Sequence, residues 1–140
     1  MSRVLNPKEV FQKMMETDKY SEWLGIQLEH IAKGECQLKM EVREEMLNGF
    51  SISHGGITYA LADSTLAFAS NSHGSKAVSI ETSINHLLPV KKGDILLSTA
   101  QQLSRTKSLA IYTVNVTNQD QELVAFFKGI VKISREEWAV

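Results

Sequence analysis

Residues 56–73, GITYALADSTLAFASNSH, decide the fold of this chain. Alanine and leucine favour a helix here, and Gly74 follows at the position where a helix would end. The apolar residues lie on every side of that helix, which is typical of a helix that is buried all round. Small side chains among them would let a sheet close tightly around it. We therefore predict a central buried helix over about residues 56–73.

Strand patterns lie on both sides of the predicted helix. Before it, apolar and polar residues alternate on either side of a turn at Lys33-Gly34, as in an antiparallel hairpin with one wet face. Within the last strand segment after the helix, Gly129 predicts a bulge or a bend. The segments after the helix are rich in Val, Ile and Thr and are separated by turn signals; they are residues 77–88, 94–103, 109–117 and 122–133.

The chain opens with a helix pattern over about residues 6–18. Asn6 suits the N-cap, Pro7 suits the first helical position, and Glu9 can close a capping box. The element order is then helix, two strands, buried helix and four strands. We predict an α+β fold in a single domain over residues 1–140, in which an antiparallel β-sheet wraps around a central buried α-helix.

Composition narrows the possible functions. The 140 residues are 43% hydrophobic and 22% charged, as in a single globular domain and unlike a disordered chain. A net charge of −1 argues against a nucleic-acid partner. No apolar run reaches the ~20 residues of a membrane span, and the first residues lack a secretory signal. Cys36, the single cysteine, falls on the apolar phase of the hairpin, so we expect a core residue and a cytoplasmic location.

Asp63 is the residue of the central helix that requires an explanation. Burying a carboxylate costs free energy unless the group is paired or hydrogen-bonded. In one interpretation Asp63 is structural and bonds to the backbone or to a hydroxyl such as that of Ser64 or Thr65. In the other it is a catalytic base or nucleophile in a cleft poor in water.

The segment before the helix, residues 48–56, reads NGFSISHGG. Glycines at a helix start leave backbone N–H groups open at the positive end of the helix dipole, where they could stabilise an oxyanion. In the alternative interpretation, these glycines only form a turn that leads into the helix. Gly55 and Asp63 are about 12 Å apart along a helix, so they cannot contact one carbonyl from the same chain. If both act on one substrate, a two-fold dimer must share each site.

Other catalytic motifs are missing from the sequence. Residues 49–53 resemble a nucleophile elbow but lack its second glycine. Neither a phosphate-binding loop nor a dinucleotide fingerprint occurs. The histidines have no metal-ligand spacing, so no metal site is predicted; they are His30, His54, His73 and His86.

Three short motifs resemble the hotdog-fold acyl-CoA thioesterases. They are Asn48-x5-His54-Gly55-Gly56, Leu61-Ala62-Asp63-Ser64 and Asn71-Ser72-His73-Gly74. The sequence is most similar to the phenylacetic acid degradation branch, whose members hydrolyse phenylacetyl-CoA and related aryl or acyl thioesters, and the similarity covers about residues 20–133. It implies a hotdog fold and a homodimer with shared active sites, often assembled into a homotetramer.

The resemblance also implies catalytic roles. Gly55 would donate its N–H to the thioester oxygen, with Asn48 assisting from the same loop. Asp63 from the other subunit would activate water or attack the carbonyl. Ser79 matches a serine that helps to hold the water in some relatives, and His54 matches a histidine whose role is positional.

Substrate contacts follow from the same resemblance. Arg105 and Lys107 match a region that touches the nucleotide, with Lys91 and Lys92 as alternatives for the phosphates. No cofactor is implied, because coenzyme A is part of the substrate. The loop and the central helix should line the acyl pocket; the candidates are Phe50, Ile52, Gly56, Tyr59 and Phe68.

We therefore predict a cytoplasmic acyl-CoA thioesterase that acts on phenylacetyl-CoA or a similar thioester. Two alternatives stay open. One is an enoyl-CoA hydratase of the same fold, which would need an Asp–His pair near the β-carbon of the acyl chain. The other is a non-catalytic acyl-CoA binding or sensing protein, which would not need a buried carboxylate.

Overall fold

A computed structural model describes residues 2–140. One antiparallel sheet holds all six strands in the order β1-β2-β4-β5-β6-β3. The elements, in chain order, are α1 (Pro7–Met15), α2 (Lys19–Leu24), β1 (Gln27–Ala32), β2 (Glu35–Glu41), a short 3-10 helix (Glu44–Met46), α3 (Gly55–Asn71), β3 (Ser75–His86), β4 (Ile95–Arg105), β5 (Leu109–Thr117) and β6 (Leu123–Glu137).

The sheet wraps around α3, as predicted. Leu61, Leu66 and Ala69 of this helix are fully or almost fully buried against the inner face of the sheet. Cys36 of β2 is buried in the same core, and burial raises the pKa of its thiol to about 12. The α+β architecture predicted from the sequence is confirmed. Between residues 2 and 140, no helix combines the length and the apolar character needed to cross a bilayer.

The N-terminal helix predicted over residues 6–18 is two helices. α1 ends at Met15, and a second helix, which the sequence analysis missed, begins at Lys19. The break occurs because the Asp18 side chain accepts a hydrogen bond from the Ser21 N–H (3.0 Å) and so acts as an N-cap, which an aspartate prefers to a helix interior. The predicted capping box of Asn6 and Glu9 is present.

The other helix and strand ends lie closer to their predicted positions. α3 begins one residue earlier and ends two residues earlier than predicted, at Gly55 and Asn71. The four segments after α3 form strands whose ends lie within two residues of the predicted ones, except that β6 continues to Glu137. β3 lies at an edge of the sheet although it follows α3 directly, because it pairs with β6 alone.

Gly129 is not at a bulge, so the bulge that the sequence predicted as one of two possibilities is wrong. It pairs in regular register with Thr82 and Tyr112, whereas the register shifts between β3 and β6 lie at Ser75/Ala77 and Ser79/Glu81. A Cβ added at Gly129 would lie 2.5 Å from Cδ2 of Leu66 on α3. Any larger residue here would therefore force the buried Leu66 side chain to shift, whereas glycine lets the central helix approach β6 closely.

Gly129→Ala is expected to destabilise the fold by about 1–3 kcal/mol, because the added methyl group overpacks the contact between α3 and β6. Urea unfolding would measure the change. Gly49→Ala is the matched control, since nothing lies within 4 Å of a Cβ at that position. Equal stability of the two variants would contradict this account of Gly129.

Candidate active site

The loop before α3 is held by the side chain of Asn48. Its Oδ1 accepts hydrogen bonds from the N–H groups of Phe50 (2.9 Å) and Ile52 (3.4 Å). The backbone of the loop is anchored to its surroundings as well, since the Ser53 N–H donates to the Val90 carbonyl at 2.7 Å. Within residues 2–140, the Nδ2 group of Asn48 has no acceptor, so this donor is available to a ligand.

His54 caps the N-terminus of α3. Its Nδ1 accepts a hydrogen bond from the Gly56 N–H (2.9 Å), so this N–H is not available to a substrate. The Gly55 N–H, at the first helical position, has no acceptor in the part of the chain that the structure describes. One open backbone donor therefore lies at the positive end of the α3 dipole.

A cleft of about 320 Å³ lies beside this donor. We call it the Gly55 cleft; Asn48, Ser53, Gly55, Thr58, His86 and Val90 are among the residues that line it. A Cβ at Gly55 would lie 3.1 Å from Nε2 of His86, so the imidazole covers the start of the helix. The buried Ser53 hydroxyl finds no hydrogen-bond partner in residues 2–140.

The sequence analysis did not assign His86 or Ser53 to the site. His86 ends β3, and three apolar residues, 87–89, follow it and line the same cleft. A histidine at a strand end is too common to indicate a site. The contact depends on the pairing of β3 with β6, which places this strand end against the start of α3, and no local pattern predicts that pairing.

Asp63 lines a second cleft, of about 280 Å³. We call it the Asp63 cleft; Met14, Asp63, Leu66, Ala67, Ser70 and Ser79 are among its lining residues. The sequence-predicted pair of Asp63 and Ser79 therefore meets in one cleft, between α3 and β3. The walls around this pair are mostly apolar.

The Asp63 carboxylate is half-buried and has no hydrogen-bond partner among residues 2–140. Neither neighbouring hydroxyl satisfies it: Ser64 Oγ pairs with Ser21 Oγ at 2.8 Å, and Thr65 Oγ1 donates to the Leu61 carbonyl at 2.7 Å. Desolvation raises the pKa of Asp63, and the negative charge of Asp18 raises it further. These contacts leave the carboxylate free to accept a proton.

Gly55 and Asp63 do not meet within one chain. They line different clefts, and no residue lines both. Their separation along α3 is about 12 Å, given the rise of an α-helix. The predicted sharing of each site between two subunits fits this separation and stays a prediction.

The predicted acyl-pocket residues lie in different surroundings. Phe50 is at the tip of the loop with 87% of its surface exposed. Tyr59 hydrogen-bonds to the Thr82 hydroxyl and packs edge-on against Phe127. Phe68 is buried completely, so its assignment to an open pocket is corrected: its ring fills the core.

The predicted phosphate contacts are exposed. Arg105 ends β4, and Lys107 lies in the connection between β4 and β5. Desolvation lowers the pKa of His73, and the charge of Arg105, which lies near it, lowers it further. This region is the C-terminal end of α3, about 25 Å along the helix from Gly55. In residues 2–140, no cluster of three or more His, Cys, Asp or Glu could hold a metal.

Comparison with known proteins decides the family. The model of the thioesterase superfamily matches residues 50–125, more than half of the chain, and these residues include both Gly55 and Asp63. This chain belongs to the thioesterase superfamily. The thioesterase is therefore a thioester hydrolase by family, with the predicted hotdog fold.

Individual relatives support the same family. The thioesterase is 38% identical to the acyl-coenzyme A thioesterase PaaI of Escherichia coli, over 83% of each chain. It is 34% identical to human acyl-coenzyme A thioesterase 13, over 80% of this chain and 82% of the human one. The solved structure of the E. coli PaaI protein superposes with a TM-score of 0.91 at 34% identity, covering 94% of this chain and 95% of that one.

Proposed function

We propose that this thioesterase hydrolyses acyl-CoA thioesters to the free acid and coenzyme A, with phenylacetyl-CoA or a similar aromatic thioester as its substrate class. One observation carries the proposal: the Asp63 carboxylate is half-buried, has a raised pKa and is not hydrogen-bonded within residues 2–140. A buried structural carboxylate is normally paired or hydrogen-bonded, whereas an unpaired carboxylate with a raised pKa in a cleft is suited to act as a base. The names of the E. coli and human relatives support acyl-CoA as the substrate.

In the proposed reaction, the Gly55 N–H and the Asn48 Nδ2 group donate to the thioester oxygen as it becomes an oxyanion. In one route, Asp63 of the partner subunit removes a proton from water, and this water attacks the carbonyl carbon. In the other route, the Asp63 carboxylate attacks the carbonyl carbon, and water then cleaves the resulting anhydride. In both routes the C–S bond breaks and coenzyme A leaves as its thiolate, so no strong general acid is needed. Ser79 holds the water, and His54 orients the loop.

A two-fold homodimer supplies the second half of each site in this proposal. β3 is an edge strand that exposes two apolar side chains, Val78 (68%) and Ile80 (59%). Antiparallel pairing of two such edges would bury these side chains and bring the two α3 helices side by side in opposite directions. Asp63 of one chain would then lie opposite Gly55 of the other. Two dimers would form the homotetramer.

Coenzyme A enters this proposal as part of the substrate, and neither a metal nor another cofactor takes part. Arg105 and Lys107 bind its phosphates. Lys91 and Lys92 are the alternative phosphate ligands, because they follow Val90 in the wall of the Gly55 cleft. We propose the cytoplasm as the compartment.

Thiol release from a panel of CoA esters tests the function. We expect turnover of phenylacetyl-CoA or hydroxyphenylacetyl-CoA above that of benzoyl-, acetyl- and palmitoyl-CoA. A blank without substrate accounts for the Cys36 thiol, which is buried in the folded protein. Tight binding without thiol release from any ester would refute hydrolysis and favour a sensor, and loss of the crotonyl-CoA double bond would favour a hydratase.

A further inference from the structure

The N-terminal helix α1 forms one wall of the Asp63 cleft. Met14 is its residue in the lining, although α1 lies outside the residues that match the family model. Most of the other lining side chains are apolar, among them Leu66 and Val131. An apolar cleft that begins at the reacting carboxylate suits the acyl part of a thioester, because the pantetheine part carries amide groups that need hydrogen bonds.

Asn71 lines the end of the cleft that is farthest from Asp63 along α3. From Asp63 the lining follows α3 through Ala67 to Asn71, two turns or about 12 Å further along the helix. The amide of Asn71 is fully engaged there: Nδ2 donates to the Ala77 carbonyl (3.0 Å), and Oδ1 accepts from Nε1 of Trp138 (2.8 Å). These hydrogen bonds make Asn71 a fixed part of the cleft wall at this end.

Met14 is held in place by the anchoring of α1. Arg3 bonds to both carboxylate oxygens of Glu9 in the first turn of the helix, at 2.8 and 2.6 Å. Further along, Val10 is fully buried, and the Phe11 ring packs edge-on against Phe68 with centroids 4.7 Å apart. Methionine itself is flexible and fills irregular gaps, so its side chain can fit an acyl group of limited size.

We propose that Met14 is a specificity-determining residue that limits the acyl pocket in the Asp63 cleft to short aryl or alkyl groups. This inference rests on the proposed function. It assigns the choice of acyl group to α1, whereas the reacting groups belong to α3 and the loop before it. Removing the Met14 side chain would widen the cleft at the wall that α1 forms.

The test compares Met14→Ala with Met15→Ala, a matched control in the same helix whose residue packs on the core but does not line the cleft. The readout is the ratio of kcat/KM for decanoyl-CoA to that for phenylacetyl-CoA. We expect Met14→Ala to raise this ratio about tenfold or more, the effect of a methylene-sized change in an apolar pocket, and Met15→Ala to leave it unchanged. Equal ratios in the two variants would overturn the inference.

A second measurement separates this inference from the proposed function. Thioether analogues, decyl-CoA and phenethyl-CoA, cannot be hydrolysed, so their dissociation constants report the pocket alone. Met14→Ala should bind decyl-CoA more tightly, relative to phenethyl-CoA, than the wild type does. If this change in binding is found but no ester is turned over, the proposed hydrolysis is refuted and the role of Met14 is retained. Met14→Leu keeps the side-chain volume and should retain the wild-type ratio. If Met14→Ala is unfolded, Met14→Phe takes its place and should lower the affinity for phenethyl-CoA. An unchanged affinity would refute the role of Met14 as a wall of the pocket.

Discussion

Replacing Asp63 with asparagine is expected to lower kcat by about 10²–10⁴-fold while raising the melting temperature at neutral pH. The loss of turnover follows because asparagine cannot take a proton from water. The gain in stability follows because desolvation, and then the charge of Asp18, raise the pKa of Asp63 in the folded state. The ionised carboxylate therefore lowers the stability of the fold, and the uncharged amide removes this destabilisation. Many active sites lose stability in the same way to gain activity.

The pH dependence fixes the sign of this effect. A carboxyl group with a raised folded pKa stabilises the fold fully below its unfolded pKa, and that stabilisation is lost as the pH rises through the folded pKa. The melting temperature of Asp63→Asn should thus exceed that of the wild type by a margin that grows from pH 4 to pH 8. In the wild type, kcat/KM should fall on the acid side at a pH above the ordinary aspartate pKa.

Asp120→Asn, an exposed turn residue, is the matched control and should change neither property. Unchanged kcat in Asp63→Asn would return Asp63 to a structural role. A lower melting temperature at neutral pH would show that the carboxylate has a stabilising partner outside the single chain.

Gly55→Pro is expected to lower kcat by about 10²–10³-fold, since it removes one oxyanion donor. Proline suits the first helical position, and His54 already has the extended backbone, ψ 137°, that precedes a proline. Gly55→Ala is the matched control: it adds the same Cβ near Nε2 of His86 but keeps the N–H. The difference between the two variants therefore isolates the donor.

Mixed dimers then test whether the sites are shared. Asp63→Ala and Gly55→Pro chains, co-expressed with different tags and purified as heterodimers, carry one intact site and one doubly defective site. We expect about half of the wild-type kcat per dimer, although each homodimer is nearly inactive. Heterodimers as inactive as their parents would eliminate the shared site, and full activity of Gly55→Pro alone would eliminate Gly55 as the donor.

Much of the fold could be predicted from the sequence because its signals are local. Enrichment in Val, Ile and Thr between turn signals predicts β5 at its observed bounds, and Gly74 lies shortly after the end of the central helix. The break at Asp18 was missed because a capping aspartate and a helical one look alike until Ser21 supplies the N–H. The bulge predicted at Gly129 is wrong because the residue that restricts this position, Leu66, lies across the core and far away in sequence.

The site could be predicted only in part. Asp63 stands out because a carboxylate in an apolar helix requires an explanation, whereas the glycines at Gly55 are a weak signal until the resemblance to a family is added. The prediction for Phe68 is wrong because the ring packs in the core, where Phe11, far away in sequence, is one of its contacts. Met14 and His86 reach the clefts through tertiary packing, which no spacing along the chain encodes.

The burial of Cys36 makes its thiol a reporter of unfolding. This single thiol lies in β2, between β1 and β4, with 1% of its surface exposed. A thiol reagent can reach it only when the sheet opens, and the raised pKa leaves almost no thiolate in the closed state. When opening and closing are fast relative to labelling, the labelling rate measures the equilibrium population of open molecules under native conditions, without denaturant.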